Sequence, residues 1–173
     1  MAKRAVYSDG NNWACNSGEL IAILGAVAVG LPSPLTPVQI LWMNLVTDGL
    51  PALALAEDPR TPDTMLRPPR DKSMPIFTLL GKKFILLVGA ALSALTLLTF
   101  IFFFEEHQLD RARTWAFTIL VIGEMLVAFL VRKKEKWYSN KLLLLAVSMT
   151  IILQILILTL PPLQAIFDVV PIF

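Results

Sequence analysis

Polar residues fill Met1 to Asn12, and beyond them the chain is a succession of long apolar runs divided by short polar stretches. A helix that crosses the hydrocarbon of a bilayer needs about 20 predominantly apolar residues. Five runs reach that scale, roughly 13–31, 37–56, 84–104, 114–131 and 142–160. The first opens among Asn11, Asn12, Asn16 and Glu19, so it is the most polar of the five. The pattern predicts an all-α membrane protein: a bundle of about five transmembrane helices behind an atypical polar segment, residues 1–12. Between the second and third runs, Glu57 to Phe77 carries Pro59, Pro62, Pro68, Pro69 and Pro75 and reads as an extended, partly polyproline-like loop. No internal repeat is evident, and no stretch offers room for a soluble domain.

Composition sharpens that picture. Hydrophobic residues make up 56% of the chain and charged residues 16%, against about 45–50% and 25% in soluble domains. The net charge of +2 gives no reason to expect nucleic acid as a partner; the lipid bilayer is the expected one. What matters is where the positive residues fall. Arg60, Arg67, Arg70, Lys72, Lys82 and Lys83 lie between the second and third runs, and Arg132, Lys133, Lys134, Lys136 and Lys141 between the fourth and fifth. The alternate loops, Pro32–Thr36 and Glu105–Arg113, are neutral or acid-leaning. Positive loops stay cytoplasmic, which places the amino terminus, with Lys3 and Arg4, inside and the carboxyl terminus outside. The polar start has no apolar core of the kind a cleavable signal peptide requires. A single cysteine, Cys15, rules out an intramolecular disulfide and reads as a small packing residue rather than a nucleophile.

Candidate chemistry sits inside the apolar runs. Asn44, Thr47 and Asp48 recur at i, i+3 and i+4, which puts an amide, a hydroxyl and a carboxylate on one helical face. Asn16 and Glu19 share a face in the same way, and Glu124 lies in the middle of the fourth run. An ionised carboxylate at the centre of a span costs about 2.5–3.5 kcal/mol on insertion scales. Three of them, with no lysine or arginine inside the spans to pair with, need another positive charge. A divalent cation fits, as do protons; the alternative is three protonated acids hydrogen-bonded between helices. Hard oxygen donors suit a hard cation such as calcium. Pro51 leaves the carbonyl of Thr47 without its helical donor and predicts a kink or unwound turn beside Asp48. Gln154 reads as an interhelical hydrogen bond, and Ser93, Thr96 and Thr99 as hydroxyls bonded to their own helix. His107, in an exterior loop, reads as solvated, and Trp13, Trp115 and Trp137 as interfacial anchors. No phosphate-binding loop and no nucleophile–base pair is present, so neither catalytic nor cofactor-binding residues are assigned.

The run from Leu35 to Ala52, with Trp42-Met43-Asn44-Leu45-Val46-Thr47-Asp48-Gly49-Leu50-Pro51 within it, resembles the sixth transmembrane helix of the P-type calcium-transporting ATPases, of the sarco/endoplasmic reticulum type and its bacterial relatives. Asp58-Pro59 and Met65-Leu66-Arg67-Pro68-Pro69-Arg70 resemble that family's next cytoplasmic loop, and Asn16-Ser17-Gly18-Glu19 a motif of its fifth helix. The likeness covers about Cys15 to Phe173, less strictly after Ser73. It implies helices five to nine of such a pump, in the plasma membrane of a bacterium. It also implies roles: Asn16, Glu19 and Thr47 as ligands of one calcium ion, Asp48 bridging two ions, Asn44 serving the second, and Glu124 serving the first. Keeping acids at both Glu19 and Glu124 favours the two-ion pattern over relatives that bind one. The neutral Asn44 speaks against the sodium/potassium branch. Manganese is a further candidate ion.

The departures from the family are equally specific. The phosphorylated aspartate of its Asp-Lys-Thr-Gly motif, the nucleotide and actuator domains and the fourth helix have no counterpart here, so ATP and Mg2+ belong to the full-length family alone. Without the fourth helix's acid, Glu19, Asp48 and Glu124 cannot neutralise two calcium ions. The chain by itself is therefore expected to bind cation weakly and to hydrolyse no ATP, with the missing amino-terminal part of the pump as its partner. The alternatives are a stand-alone small cation channel, a regulatory membrane subunit, or a truncated reading frame without function.

Overall fold

The computed structural model describes residues 2–57, 79–104, 108–132 and 137–171. The proline-rich loop expected at Glu57–Phe77 lies almost wholly outside the described residues, as do His107 and Lys133, Lys134 and Lys136. The described residues form helices without a strand: α1 (Ala2–Ala28), α2 (Pro37–Trp42), a π-helical turn (Met43–Thr47), α3 (Gly49–Ala56), α4 (Leu79–Phe103), α5 (Leu109–Leu130), a 3-10 turn (Trp137–Ser139), α6 (Lys141–Thr159) and α7 (Pro161–Phe167).

Four segments are long and apolar enough to cross a membrane: Pro37–Ala56, Gly81–Phe103, Leu109–Leu130 and Lys141–Thr159. The fifth expected span differs. Helix α1 has 27 residues, about 40 Å at 1.5 Å per residue, and begins at Ala2 rather than near Trp13. Nothing in residues 2–28 is a proline, so the polar segment continues the same helix instead of standing apart from it. The polar residues at Asn11, Asn12, Asn16 and Glu19 hold α1 below the apolar threshold the other four meet, although it packs within the same bundle.

Helix ends follow local rules. At the end of α1, Leu31 N donates to Ala26 O (2.9 Å) and Gly30 N to Val27 O (3.0 Å), a Schellman closure with Gly30 in the left-handed region at φ 77°. Pro37 opens α2 at a position where its missing N–H is not needed, and Thr36 N donates to Gln39 Oε1 (3.0 Å). Asn140 caps α6 by accepting from Leu143 N (2.9 Å) and reaches across to donate to Ala54 O (2.7 Å). Helix α7, which the span pattern does not foretell, returns to the end of the bundle where α1 closes. There Gln39 Nε2 donates to Phe167 O (3.0 Å), Val170 N donates to Thr114 Oγ1 (3.0 Å), and Trp42 meets Phe167 edge-on at 5.1 Å.

Helix α5 is the central post: 61% of its span is buried, against 28% for that of α4. Helices α1 and α4 pack along each other and α4 packs on α5, while α3 lies between α1 and α6. The crossing of α1 and α4 is close because it is made at glycines. A Cβ on Gly89 would stand 3.1 Å from both Ala14 O and Ser17 Cβ, and one on Gly18 3.3 Å from Gly89 O. Small residues let backbones approach in this way where no hydrophobic gradient drives helices together. Buried apolar residues form three clusters, one with Met43, Leu92, Phe117, Leu120, Val121, Val127, Ile157 and Phe167, a second with Ala54, Leu55, Met125, Ala128, Leu143 and Val147, and a third with Phe100, Ala112 and Ala116. The exterior is apolar as well: Leu87, Leu98 and Phe102 on α4 and Leu145, Ile152 and Ile155 on α6 are all exposed. Polar groups inside and leucine outside is the distribution a bilayer imposes on a bundle. The chain is an integral, multi-pass membrane protein in contact with lipid.

Candidate cation-binding site

Among these apolar clusters sits a layer of polar side chains. Glu19 comes from α1, Thr47 and Asp48 from the interrupted span, and Glu124 from α5; their exposures are 5%, 0%, 4% and 0%. The interruption is what presents Thr47 and Asp48. Pro51 cannot complete a regular helix across Thr47, and the chain answers with a π turn over Met43–Thr47, closed by Asp48 N donating to Met43 O at 2.8 Å. Here Thr47 and Asp48 turn into the bundle while Asn44 stays exposed, its Nδ2 donating to Ile40 O (3.0 Å) as its side chain reaches Glu19. Asn16 is exposed on α1.

The hydrogen bonding of this layer is incomplete. Thr47 Oγ1 stands 2.6 Å from Glu124 Oε2 and 2.9 Å from Met43 O, and its single proton serves one of them at a time. Glu19 Oε1, both oxygens of Asp48 and Glu124 Oε1 are buried with no hydrogen-bond partner. The charges acting on Asp48 and Glu124 are those of the other acids; among the described residues no lysine or arginine offsets them. A buried carboxylate oxygen without a donor is costly, and four of them from three helices make an acceptor-only enclosure. Its chemistry is to receive cations or protons.

Cys15 belongs to this layer too. It lies one turn before Glu19 on α1, is fully buried, and its Sγ lies with carboxylate oxygens of Asp48 and Glu124 in a group whose atoms are all within 4.8 Å of one another. The packing role its residue type suggests holds, since it lies in the apolar cluster with Ala14, Leu92 and Phe117; its place beside the acids was signalled by its i, i+4 relation to Glu19. Gln154 departs from expectation. It is buried on α6, but neither amide atom is paired, and the same holds for the hydroxyl of Thr150 one turn away. Ser93 and Thr96 do bond to their own helix, at Ala90 O (2.9 Å) and Leu92 O (2.8 Å). Arg132, counted among the loop charges, is buried and donates to Ser139 Oγ (2.8 Å). Trp13 is exposed, as an anchor would be, and Trp115 stacks on Phe103 with ring centres 5.0 Å apart.

Known proteins resemble this chain along most of its length. Residues 32–172 match the family model described as "Cation transporting ATPase, C-terminus". The chain is 39% identical over 170 residues to a calcium-transporting ATPase of Bacillus subtilis, covering 92% of this chain and 19% of that protein. It is 33% identical over 180 residues to calcium-transporting ATPase 1 of Bacillus cereus, covering 90% and 20%. An endoplasmic reticulum calcium ATPase of Aspergillus fumigatus is 30% identical over 213 residues, covering 97% and 22%. The chain thus spans about a fifth of the length of the curated relatives it matches.

Proposed function

This chain belongs to the family of cation-transporting ATPase carboxyl-terminal regions, and from that premise we propose that it forms the calcium-binding layer of a calcium-transporting P-type pump. The observation that carries the proposal is the convergence of Glu19, Asp48 and Glu124 from three separate helices, with four buried carboxylate oxygens lacking any donor. A divalent ion supplies the missing positive charge and prefers oxygen ligands of this kind at 2.3–2.6 Å. Thr47 adds a hydroxyl from the π turn, and Asn44 and Asn16 complete the ligand set at its exposed edge. Calcium is the cargo, and relatives named as calcium-transporting ATPases support that choice. An interrupted helix beside the carboxylates is how transport proteins bring backbone and side-chain oxygens to an ion within the bilayer.

In the pump, parts other than this chain would bind ATP with Mg2+ and carry the phosphorylated aspartate; the amino-terminal part of the pump is the partner this reading requires. Loop charges support a cytoplasmic amino terminus and an external carboxyl terminus in a bacterial plasma membrane. The test is calcium binding to the purified full chain in detergent, with Asp48→Asn and Glu19→Gln alongside. Both substitutions should weaken binding by about tenfold or more, because each removes one of three charges offered to the ion. Binding unchanged in both would refute the assignment. ATP hydrolysis by the chain alone would refute the division of labour.

A further inference from the structure

Cys15 changes what the polar layer can hold. Calcium takes hard oxygen ligands and gains little from sulfur, so a pure calcium site gives the buried thiol a packing role and no ligand role. Yet its Sγ is grouped with oxygens of Asp48 and Glu124, all within 4.8 Å of one another. All three residues are buried, and neither oxygen of Asp48 nor Oε1 of Glu124 has a hydrogen-bond partner. Three donors from three helices, one sulfur and two carboxylates, form a compact set for one ion. Zinc binds thiolate at about 2.3 Å and carboxylate at about 2.0–2.2 Å, with four ligands in a tetrahedron. Modest side-chain rotations close separations under 4.8 Å to that geometry.

We propose that Cys15, Asp48 and Glu124 form a mixed sulfur–oxygen site for a thiophilic divalent cation, Zn2+ or Cd2+, overlapping the calcium layer. The proposal rests on the reading of that layer as a cation site and adds a second class of ion to it. Binding converts the thiol to a metal-bound thiolate, and the displaced proton leaves to solvent. Such an ion competes with calcium for Asp48 and Glu124, and only Cys15 discriminates between the two.

The experiment titrates the purified full chain in detergent with Cd2+ alone, then with Ca2+, following the ultraviolet thiolate-to-metal charge-transfer absorption. Cys15 is the only cysteine, so any such band is its own. A band saturating at one Cd2+ per chain is expected, lost in Cys15→Ser and weakened in Asp48→Asn and Glu124→Gln. Loss of a ligand should cost at least the 10–100-fold that outer-shell changes cost in metal sites, so Cys15→Ser should weaken Cd2+ by about tenfold or more. The same variant should move calcium affinity by less than about threefold, since sulfur contributes little there. Near-isosteric replacement preserves the packing, and unchanged calcium binding in Cys15→Ser doubles as the control for folding. Cadmium binding without the band, or equally tight in Cys15→Ser, overturns the proposal. So does a band that Asp48→Asn and Glu124→Gln leave untouched, which would mark coordination to the thiol alone. Calcium binding intact with no cadmium band sinks this inference only; a cadmium band with no calcium binding sinks the calcium reading only.

Discussion

Replacing Glu124 by glutamine should move stability and cation binding in opposite directions. Glu124 is fully buried, its Oε2 accepts from Thr47 and its Oε1 has no partner. It shares with Asp48 a group of ligand atoms within 4.8 Å of one another. When both are ionised, two unit charges at that limiting distance repel by about 3.5 kcal/mol at an effective dielectric near 20. Glu124→Gln keeps the shape, keeps an oxygen for Thr47, and puts an N–H2 donor where its neighbours offer only acceptors. Part of the repulsion becomes a hydrogen bond, so the cation-free protein should gain about 1–3 kcal/mol. Calcium pulls the other way. At a free concentration of about 100 times Kd it stabilises the native chain by about 2.7 kcal/mol; a hundredfold loss of affinity reduces that to about 0.4 kcal/mol. The assay is thermal unfolding of both proteins in detergent, followed by tryptophan fluorescence with calcium or with chelator. The expected result is a higher midpoint for the variant in chelator and a smaller rise on adding calcium. A variant less stable in chelator that keeps the full calcium-dependent rise would show that Glu124 is a structural hydrogen-bonding residue and would refute the argument.

Two further predictions concern the frame that holds the layer. Gly89→Leu places a side chain where even a Cβ would be 3.1 Å from Ala14 O and Ser17 Cβ; backbone cannot yield, so α1 and α4 must part, at a cost of about 1–3 kcal/mol, and calcium affinity should fall because Glu19 rides on α1. Normal affinity in a stably folded Gly89→Leu protein would show that the close crossing does not set the site. Asn140→Ala removes both the cap on Leu143 N and the bond to Ala54 O, which together amount to about 2–3 kcal/mol; the loss should appear in chemical denaturation while calcium affinity in the folded protein stays unchanged.

How far the sequence reached can be judged at particular residues. The four strongest spans were legible because lipid demands uninterrupted apolar length, and length survives in one dimension. Helix α1 was legible as apolar beyond Trp13 but not as continuous from Ala2, since polar residues extend a helix as readily as they end one when no proline intervenes. The acids were legible as costly, and cost alone singled out Glu19, Asp48 and Glu124. Their meeting was not, because a stripe on each helix does not say which stripes face one another; that depends on crossings such as Gly18 with Gly89, which appear only in three dimensions. The π turn was hidden for a related reason. Pro51 signals an interruption without saying whether the chain loses a hydrogen bond or inserts a residue into a π turn.

That insertion also explains why so polar a layer can persist inside the bundle. A carboxylate with no donor would draw water or rotate outward if its helix were free to turn. Thr47 and Asp48 cannot rotate independently: Met43, at the start of the π turn, is fixed among Phe117, Leu120 and Ile157, and Ala54 and Leu55, past the joint, are fixed among Met125, Leu143 and Val147. The same two apolar clusters take in α5 around Glu124, with Leu120, Val121 and Val127 in one and Met125 and Ala128 in the other. The span is therefore clamped at both ends and irregular only between the clamps. Glu19 and Cys15, on a helix held to α4 by glycines, close the layer from the other side. A cation bound there would bridge α1, the interrupted span and α5, adding the one set of bonds that the apolar clusters cannot make. The bundle is thus least satisfied in the layer where a divalent ion can join three helices.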